Sequence, residues 1–150
     1  DGTDTVLIAN NFNDGANDAL LVDVEVVTLT ASGKTLNLGG QTEGMTINGT
    51  GGVDTIVTGS GANLVNANYG DDVITTGTGN NTVIGNEGND TINVGGGQVS
   101  IDGGNGNDII FGDLITLNGV VSEGYQALQA YVAQKSGVEA SAVTTSSAKP

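Results

Sequence analysis

The sequence contains no Cys, no His and no Trp, and aromatic residues make up only 3% of its 150 residues. Without imidazole or thiolate groups, the chain lacks the usual ligands of zinc and iron sites. The same absence excludes catalytic triads and metalloprotease helices, and we expect no enzyme. Basic residues are also scarce, since 3 of them face 17 acidic residues and the formal net charge is −14. This balance argues against nucleic acid or membrane insertion and favours cations as partners.

Two further absences bound the fold. A chain without Cys cannot depend on disulfides, and no apolar run is long enough to cross a bilayer. The chain opens on Asp1 with neither Met nor an apolar leader, so we expect a mature form or a piece of a longer protein.

The middle of the chain repeats with a period of nine residues, in seven consecutive units from Gly49 to Phe111 without insertion. The fourth position of every unit is Gly, and the eighth is always Ile or Val. A short fixed period is typical of a structural unit that stacks on copies of itself. The Gly-rich composition therefore does not indicate disorder here.

Each unit divides into a turn and a strand. Six residues rich in Gly, Asn and Asp provide the turn, and the next three form a short strand whose middle side chain points inward. Two units then make one coil, and successive coils stack in parallel about 4.8 Å apart. The repeats thus predict an all-β fold, a parallel β-solenoid spanning residues 1–121.

Upstream of the repeats, apolar residues continue at nine-residue steps. The predicted inward positions are Leu20, Leu29, Leu38 and Ile47. The sixth position of these units is apolar (Val27, Leu36 and Met45), so we interpret residues 13–48 as coils that close with apolar turns instead of ions. Asp4 to Ala9 is expected to form a strand over the first coil.

Downstream of the repeats, Leu114 to Leu117 is predicted to form a last strand. Ser122 can cap a short helix over residues 122–136, whose apolar face would cover the last coil. The small, polar residues 137–150 are expected to be a disordered tail.

The sixth position of the repeat carries acidic side chains. Asp recurs there every 18 residues, or once per coil, which places these residues in one column on one edge. Stacked carboxylates repel by about 1 kcal/mol per pair in water and by roughly 3–4 kcal/mol at a dielectric constant near 20. A hard cation between coils reverses this effect, and Ca²⁺ accepts oxygen ligands in more flexible geometry than Mg²⁺. We predict three ions in the gaps between four ligands, Asp54, Asp72, Asp90 and Asp108.

The units GGNGNDIIF at Gly103–Phe111 and GNEGNDTIN at Gly85–Asn93 resemble the RTX nonapeptide family, whose consensus is Gly-Gly-x-Gly-x-Asp-x-U-x. The resemblance covers Gly49–Phe111. It implies a right-handed parallel β-roll that binds calcium between turns, in bacterial proteins exported by type I secretion. It also implies that the Asp column supplies ligands and that loop carbonyls complete each shell. Ala67-Asn68-Tyr69 departs from the Gly-Gly-x start beside Asp72.

The opposite edge carries Asn63, Asn81 and Val99 at the sixth position, so ions there should be weak or absent and hydrogen-bonded Asn ladders are favoured. Weaker metal candidates are Asn63, Asn81, Asp71 and Asp18. Asp71 is expected to face solvent or to support a ligand. Asp14 and Asp18 could hold another ion, but a plain turn is the favoured interpretation.

These features leave two functional interpretations open. The first is a calcium-binding structural or adhesive module of a secreted bacterial surface protein, such as an S-layer or adhesin segment, that folds on calcium and self-associates through the solenoid ends. The second is the calcium-dependent folding and export module of a type I-secreted enzyme whose catalytic domain lies elsewhere. Ice binding is disfavoured because the outward strand residues form no regular Thr array.

Overall fold

The computed structural model describes residues 2–15, 19–112, 114–117 and 120–123. These residues form strands and turns and contain no helix. The strands are β1 (Thr5–Ile8), β2 (Phe12–Asn13), β3 (Val26–Leu29), β4 (Thr35–Asn37), β5 (Thr46–Asn48), β6 (Thr55–Val57), β7 (Leu64–Asn66), β8 (Val73–Thr75), β9 (Thr82–Ile84), β10 (Thr91–Val94), β11 (Ser100–Asp102), β12 (Ile109–Gly112), β13 (Leu114–Leu117) and β14 (Val120–Glu123).

Two parallel sheets of six strands each make up the body of the molecule. The odd strands from β1 to β11 form one sheet in sequence order, and the even strands from β2 to β12 form the other. Each coil therefore gives one strand to each sheet, which confirms the predicted parallel β-solenoid. From β5 onward the register advances by 18 residues per coil, as when Thr55 pairs with Val73 and Val73 with Thr91.

The core is a stack of β-branched and Leu side chains between the two sheets. The middle residue of each repeat strand points inward, and Ile56, Val65, Ile74, Val83 and Ile92 are all 0% exposed. β-branched residues suit short strands because their packing on a pleated surface compensates for restricted side-chain freedom. Towards the C-terminal end Ile101 and Ile110 are only partly buried against this core.

The upstream part of the predicted ladder is correct at Leu29, Leu38 and Ile47, which are buried, but its nine-residue spacing does not hold. Ile56 pairs with Leu36 and Ile47 with Val27, so these coils contain 20 residues instead of 18. The two extra residues per coil move Val27 and Leu36, which were expected in turns, to inward strand positions. Leu20, an expected inward residue, is 52% exposed.

The prediction that the upstream coils close with apolar turns is nevertheless correct in part. Leu38 and Met45 are buried in the connection between β4 and β5, at 1% and 3% exposure. The expected strand between Asp4 and Ala9 is β1, which pairs with β3.

The C-terminal end departs from the expected cap where it is described. The predicted strand at Leu114–Leu117 is β13, and it pairs antiparallel with β14. Ser122 and Glu123, the first two residues of the predicted capping helix, lie in β14. The remainder of that helix and the tail lie outside the described residues.

The core stack predicts that substitutions of two neighbouring residues of β8 differ sharply in their effect on the free energy of unfolding. Ile74→Ala should lower the free energy of unfolding by about 2–5 kcal/mol, because it removes a fully buried side chain from the stack. Val73→Ala, on the same strand but 38% exposed, is the matched control and should cost much less. Urea unfolding in saturating calcium measures both, and equal losses would contradict the inward register.

Candidate metal centre

The turns of the solenoid lie on two edges with different side chains. The turns that lead from odd to even strands carry the Asp column, and we call their edge the Asp edge. It consists of residues 49–54, 67–72, 85–90 and 103–108. The turns that lead from even to odd repeat strands form the Asn edge, which consists of residues 58–63, 76–81 and 95–99.

The four predicted Asp ligands lie in one column, as expected from their spacing. Asp54, Asp72 and Asp90 are almost completely buried, and Asp108 is partly exposed at the end of the stack. One carboxylate oxygen of each residue ties two coils together. The Oδ1 atoms of Asp72, Asp90 and Asp108 accept the backbone N–H of the Asp one coil upstream, at 2.7, 2.8 and 3.0 Å.

The second carboxylate oxygen is the unusual feature of this edge. The Oδ2 atoms of Asp72 and Asp90 are buried and have no hydrogen-bond partner in the described part of the chain. Burying a carboxylate oxygen without a partner is unfavourable, because it has lost its water and gained nothing in return. A bound cation would supply the missing partner of the Oδ2 atoms of Asp72 and Asp90.

The second oxygen of Asp90 lies near a glycine and a backbone carbonyl of the next coil. A Cβ atom placed on Gly85 would collide with Asp90 Oδ2 and with the carbonyl oxygen of Gly103, one coil downstream. A Cβ on Gly103 would likewise meet Asp108 Oδ2. Glycine thus leaves free the space between the carboxylate and a backbone carbonyl of the next coil. An all-oxygen donor set of this kind suits a hard cation.

Each ion would need backbone ligands as well as carboxylates. Within the described ranges, no group of three or more acidic side chains converges on one point. One or two Asp side chains per gap leave most of the six to eight or so ligands of Ca²⁺ to carbonyl oxygens and water.

The backbone of three turns on the Asp edge shares one conformation. Position 2 of these turns has a left-handed φ of 76° to 91°, and position 4 is a Gly with φ of 119° to 136°. The residues concerned are Asn68, Asn86 and Gly104 at position 2, and Gly70, Gly88 and Gly106 at position 4. The sequence departure at Ala67-Asn68-Tyr69 therefore leaves the turn beside Asp72 like its neighbours, because Asn tolerates the left-handed region.

The first turn of the Asp edge is different, and sequence reasoning missed the residue responsible. Asp54 Oδ2 accepts hydrogen bonds from the hydroxyl of Thr50 at 2.6 Å and from its backbone N–H at 2.9 Å. Asp54 Oδ1 accepts the N–H of Lys34 at 3.1 Å. Both oxygens of this predicted ligand are thus already paired. The available signal was a Thr at the position where the later turns have Asn or Gly.

Burial also changes the acidity of the column. It raises the pKa of Asp72 from the ordinary 3.8 to about 7, and the charges of Asp90, Asp54 and Asp71 add to the rise, against a hydrogen bond from the Asp54 N–H. Burial, followed by the charges of Asp108 and Asp71, raises the pKa of Asp90 as well, although the N–H of Asp72 opposes it. A cation that binds Asp72 and Asp90 would therefore compete with protons for these carboxylates.

On the Asn edge the same position carries a side chain that needs no ion. Asn63 Nδ2 donates to the carbonyl oxygens of Gly61 and Gly59, at 2.8 and 3.3 Å. Asn81 Nδ2 makes the corresponding bonds to Gly79 and Gly77, at 2.8 and 3.2 Å. The Nδ2 groups of Asn63 and Asn81 thus bind the carbonyl oxygens of their own turns. Asn81 Oδ1 also accepts the N–H of Asn63 at 2.9 Å, which forms the hydrogen-bonded ladder favoured for this edge.

The weaker candidates lie apart from the column. Asp71 is exposed, and its Oδ1 accepts the N–H of Asn89 one coil downstream at 2.7 Å. Asp14 is buried near the upstream end, where its Oδ1 accepts the N–H of Gly40 at 3.2 Å and its Oδ2 has no partner in the described part of the chain. Asp18 lies outside the described residues.

Comparison with known families explains this arrangement. The model of the RTX calcium-binding nonapeptide repeat, which contains four copies of the repeat, matches residues 48–83 and 84–114. These residues are RTX calcium-binding repeats. The chain has no significant match among curated proteins or solved structures.

The RTX repeats identify the fold as a calcium-binding β-roll, with Ca²⁺ as its ion. The match includes the whole Asp edge and begins at residue 48, within the last of the 20-residue coils. RTX repeats are typical of secreted bacterial proteins, and a β-roll of this kind is a structural fold. No helix suited to crossing a membrane occurs in the described part of the chain.

The raised pKa of Asp72 predicts a pH dependence of the calcium-free protein. Because this pKa lies above 3.8 in the folded state, the stabilisation by protonation is complete below about pH 4 and is lost as the pH rises through about 7. The free energy of unfolding in EDTA should therefore increase as the pH falls from about 8 to about 5. Thermal unfolding at several pH values measures this.

Asp72→Asn provides the check, because the amide has no charge to lose. It should flatten the pH dependence in EDTA and stabilise the calcium-free protein near pH 8 by on the order of a few kcal/mol. Asp102→Asn, which replaces an exposed carboxylate on β11, should keep the wild-type slope. A wild-type pH profile in Asp72→Asn would exclude Asp72 as the titrating group.

Proposed function

We propose that the RTX repeats hold calcium along the Asp edge through Asp72, Asp90 and Asp108, with turn carbonyls completing each shell. The observation that carries this assignment is the pair of buried Oδ2 atoms, on Asp72 and Asp90, without partners in the described residues. Asp54 belongs to the same column, but Thr50 already pairs with its second oxygen. Asn63 and Asn81 are satisfied by their own turns and are not needed as ligands.

We further propose that calcium binding and folding are coupled in these repeats. Ordering each residue costs about 1–2 kcal/mol, and a Gly-rich chain loses the most backbone freedom. The repeats bury one apolar side chain per unit, which offsets only part of this cost. An ion that binds the folded state alone adds its binding free energy to the stability of the roll.

Our favoured role is a structural or adhesive module of a secreted bacterial surface protein. The continuous stack from β1 to β12 and the excess of acidic over basic residues support a rigid extracellular spacer that requires calcium. The alternative is the calcium-dependent folding and export module of a type I-secreted enzyme. A catalytic domain encoded on the same parent chain would favour that alternative.

Self-association through the downstream end of the roll belongs to the same proposal. Ile109 and Phe111 on β12 are each 53% exposed, on the outward face of the last strand of their sheet. Two such large apolar residues on one short strand favour contact with another copy. Sedimentation in calcium that shows only monomer at high concentration would argue against it.

The coupled mechanism predicts a calcium-specific folding transition. Titration of calcium into EDTA-treated protein, followed by far-UV circular dichroism, should show a cooperative gain of β signal. Magnesium at the same concentrations should produce much less, because it demands a tighter octahedron and loses water reluctantly. An identical response to both ions would exclude a calcium-selective edge.

A pair of Asp variants tests the ligand assignment. Asp90→Ala removes a carboxylate from the middle of the column and should weaken calcium affinity by at least about tenfold. Asp102→Ala, which removes an exposed carboxylate from the neighbouring strand β11, controls for the loss of one negative charge. Calorimetric titration measures both. Equal affinities of the two variants would show that Asp90 does not bind the ion.

A further inference from the structure

In the first turn of the Asp edge, residues 49–54, both carboxylate oxygens of Asp54 have hydrogen-bond partners without an ion. The hydroxyl of Thr50 donates to Asp54 Oδ2 at 2.6 Å, and the backbone N–H of Thr50 donates to the same oxygen at 2.9 Å. The N–H of Lys34 occupies Asp54 Oδ1 at 3.1 Å. Hydrogen bonds to an ionised carboxylate are stronger than those between neutral groups, and a cation at this turn would have to displace them.

The backbone of this turn also differs from the other three. At position 2, Asn68, Asn86 and Gly104 have positive φ, whereas Thr50 does not. At position 4, Gly52 likewise lacks the positive φ of its counterparts. A β-branched Thr is poorly tolerated in the left-handed region, so Thr50 keeps the turn in another conformation. The carbonyl groups of the first turn are therefore oriented differently from those around Asp72 and Asp90.

In their described residues, the coils upstream of this turn contain no further member of the Asp column. The register of β4 with β6 places Lys34 one coil above Asp54, where the repeats would have an acidic residue. On the other edge, Met45 is buried and its N–H donates to Asn63 Oδ1 at 3.0 Å. The connection between β4 and β5 is thus closed by apolar and amide groups.

We infer that Thr50 closes the first gap of the Asp column to calcium. The column then takes one ion for each unpartnered oxygen, those of Asp72 and Asp90, instead of one for each of its three gaps. The coils from β3 to β7 hold together without metal, and calcium stabilises β8 to β12 on this base. This inference rests on the calcium role proposed above and adds the position at which the role begins.

Substitution of Thr50 provides the test, because Asn is the residue that the next two turns have at this position. Equilibrium dialysis at saturating free calcium should show that Thr50→Asn binds one ion more than the wild type. Thr50→Ser keeps the hydroxyl and should bind the wild-type number. Thr78→Asn, which makes the same change at an exposed position of the Asn edge, should also leave the number unchanged.

The outcomes separate the two proposals. An unchanged ion count in Thr50→Asn, or an equal gain in Thr50→Ser, would overturn the inference and leave the calcium role intact. Absence of bound calcium in every variant would overturn both.

Hydrogen exchange of the wild-type protein in EDTA gives a measurement that does not depend on any variant. The backbone amides of β3 to β7 should remain protected, and those of β8 to β12 should exchange markedly faster, because their coils carry the unpartnered carboxylates of Asp72 and Asp90. Uniform protection, or uniform loss of protection, across both groups of strands would contradict a metal-free base.

Discussion

The stacking of one buried carboxylate per coil is the constraint on which the rest of this structure depends. Each Asp uses one oxygen to accept the N–H of the coil upstream, and this bond fixes the turns in register. The same geometry forces like charges together and removes their water. The consequences are the raised pKa values of Asp72 and Asp90 and two oxygens without partners in the described residues. A calcium ion is the ligand that resolves all of these effects together.

The two edges of the roll show how small a change decides whether an ion is needed. Asn and Asp have nearly the same shape, and at the sixth position both accept an N–H from the neighbouring coil. The second polar atom of the side chain differs. The Asn Nδ2 group donates hydrogen bonds to turn carbonyls, whereas the Oδ2 atoms of Asp72 and Asp90 can only accept and find no donor in the described residues. One edge is therefore closed by hydrogen bonds, and the other requires a cation. Thr50 shows a third solution, in which a hydroxyl supplies the missing donor.

The regular repeats made the fold and the Asp column predictable, because seven units without insertion allow a single register. Upstream, the nine-residue count failed: apolar residues are frequent there, and two extra residues per coil bring Val27 and Leu36 inward without disturbing the apolar pattern. The pairing of Asp54 with Thr50 also escaped prediction. It depends on side-chain reach and on the φ angle at one turn position, and neither leaves a periodic signal in the sequence.

The most direct test is a crystal structure of the calcium-loaded protein, with the ions located by anomalous scattering. The account predicts ions between coils along the Asp edge, in contact with Asp72, Asp90 and Asp108. It predicts none beside Asn63 and Asn81, whose amides already bind the turn carbonyls. Ions on the Asn edge, or an Asp edge without ions at saturating calcium, would contradict it.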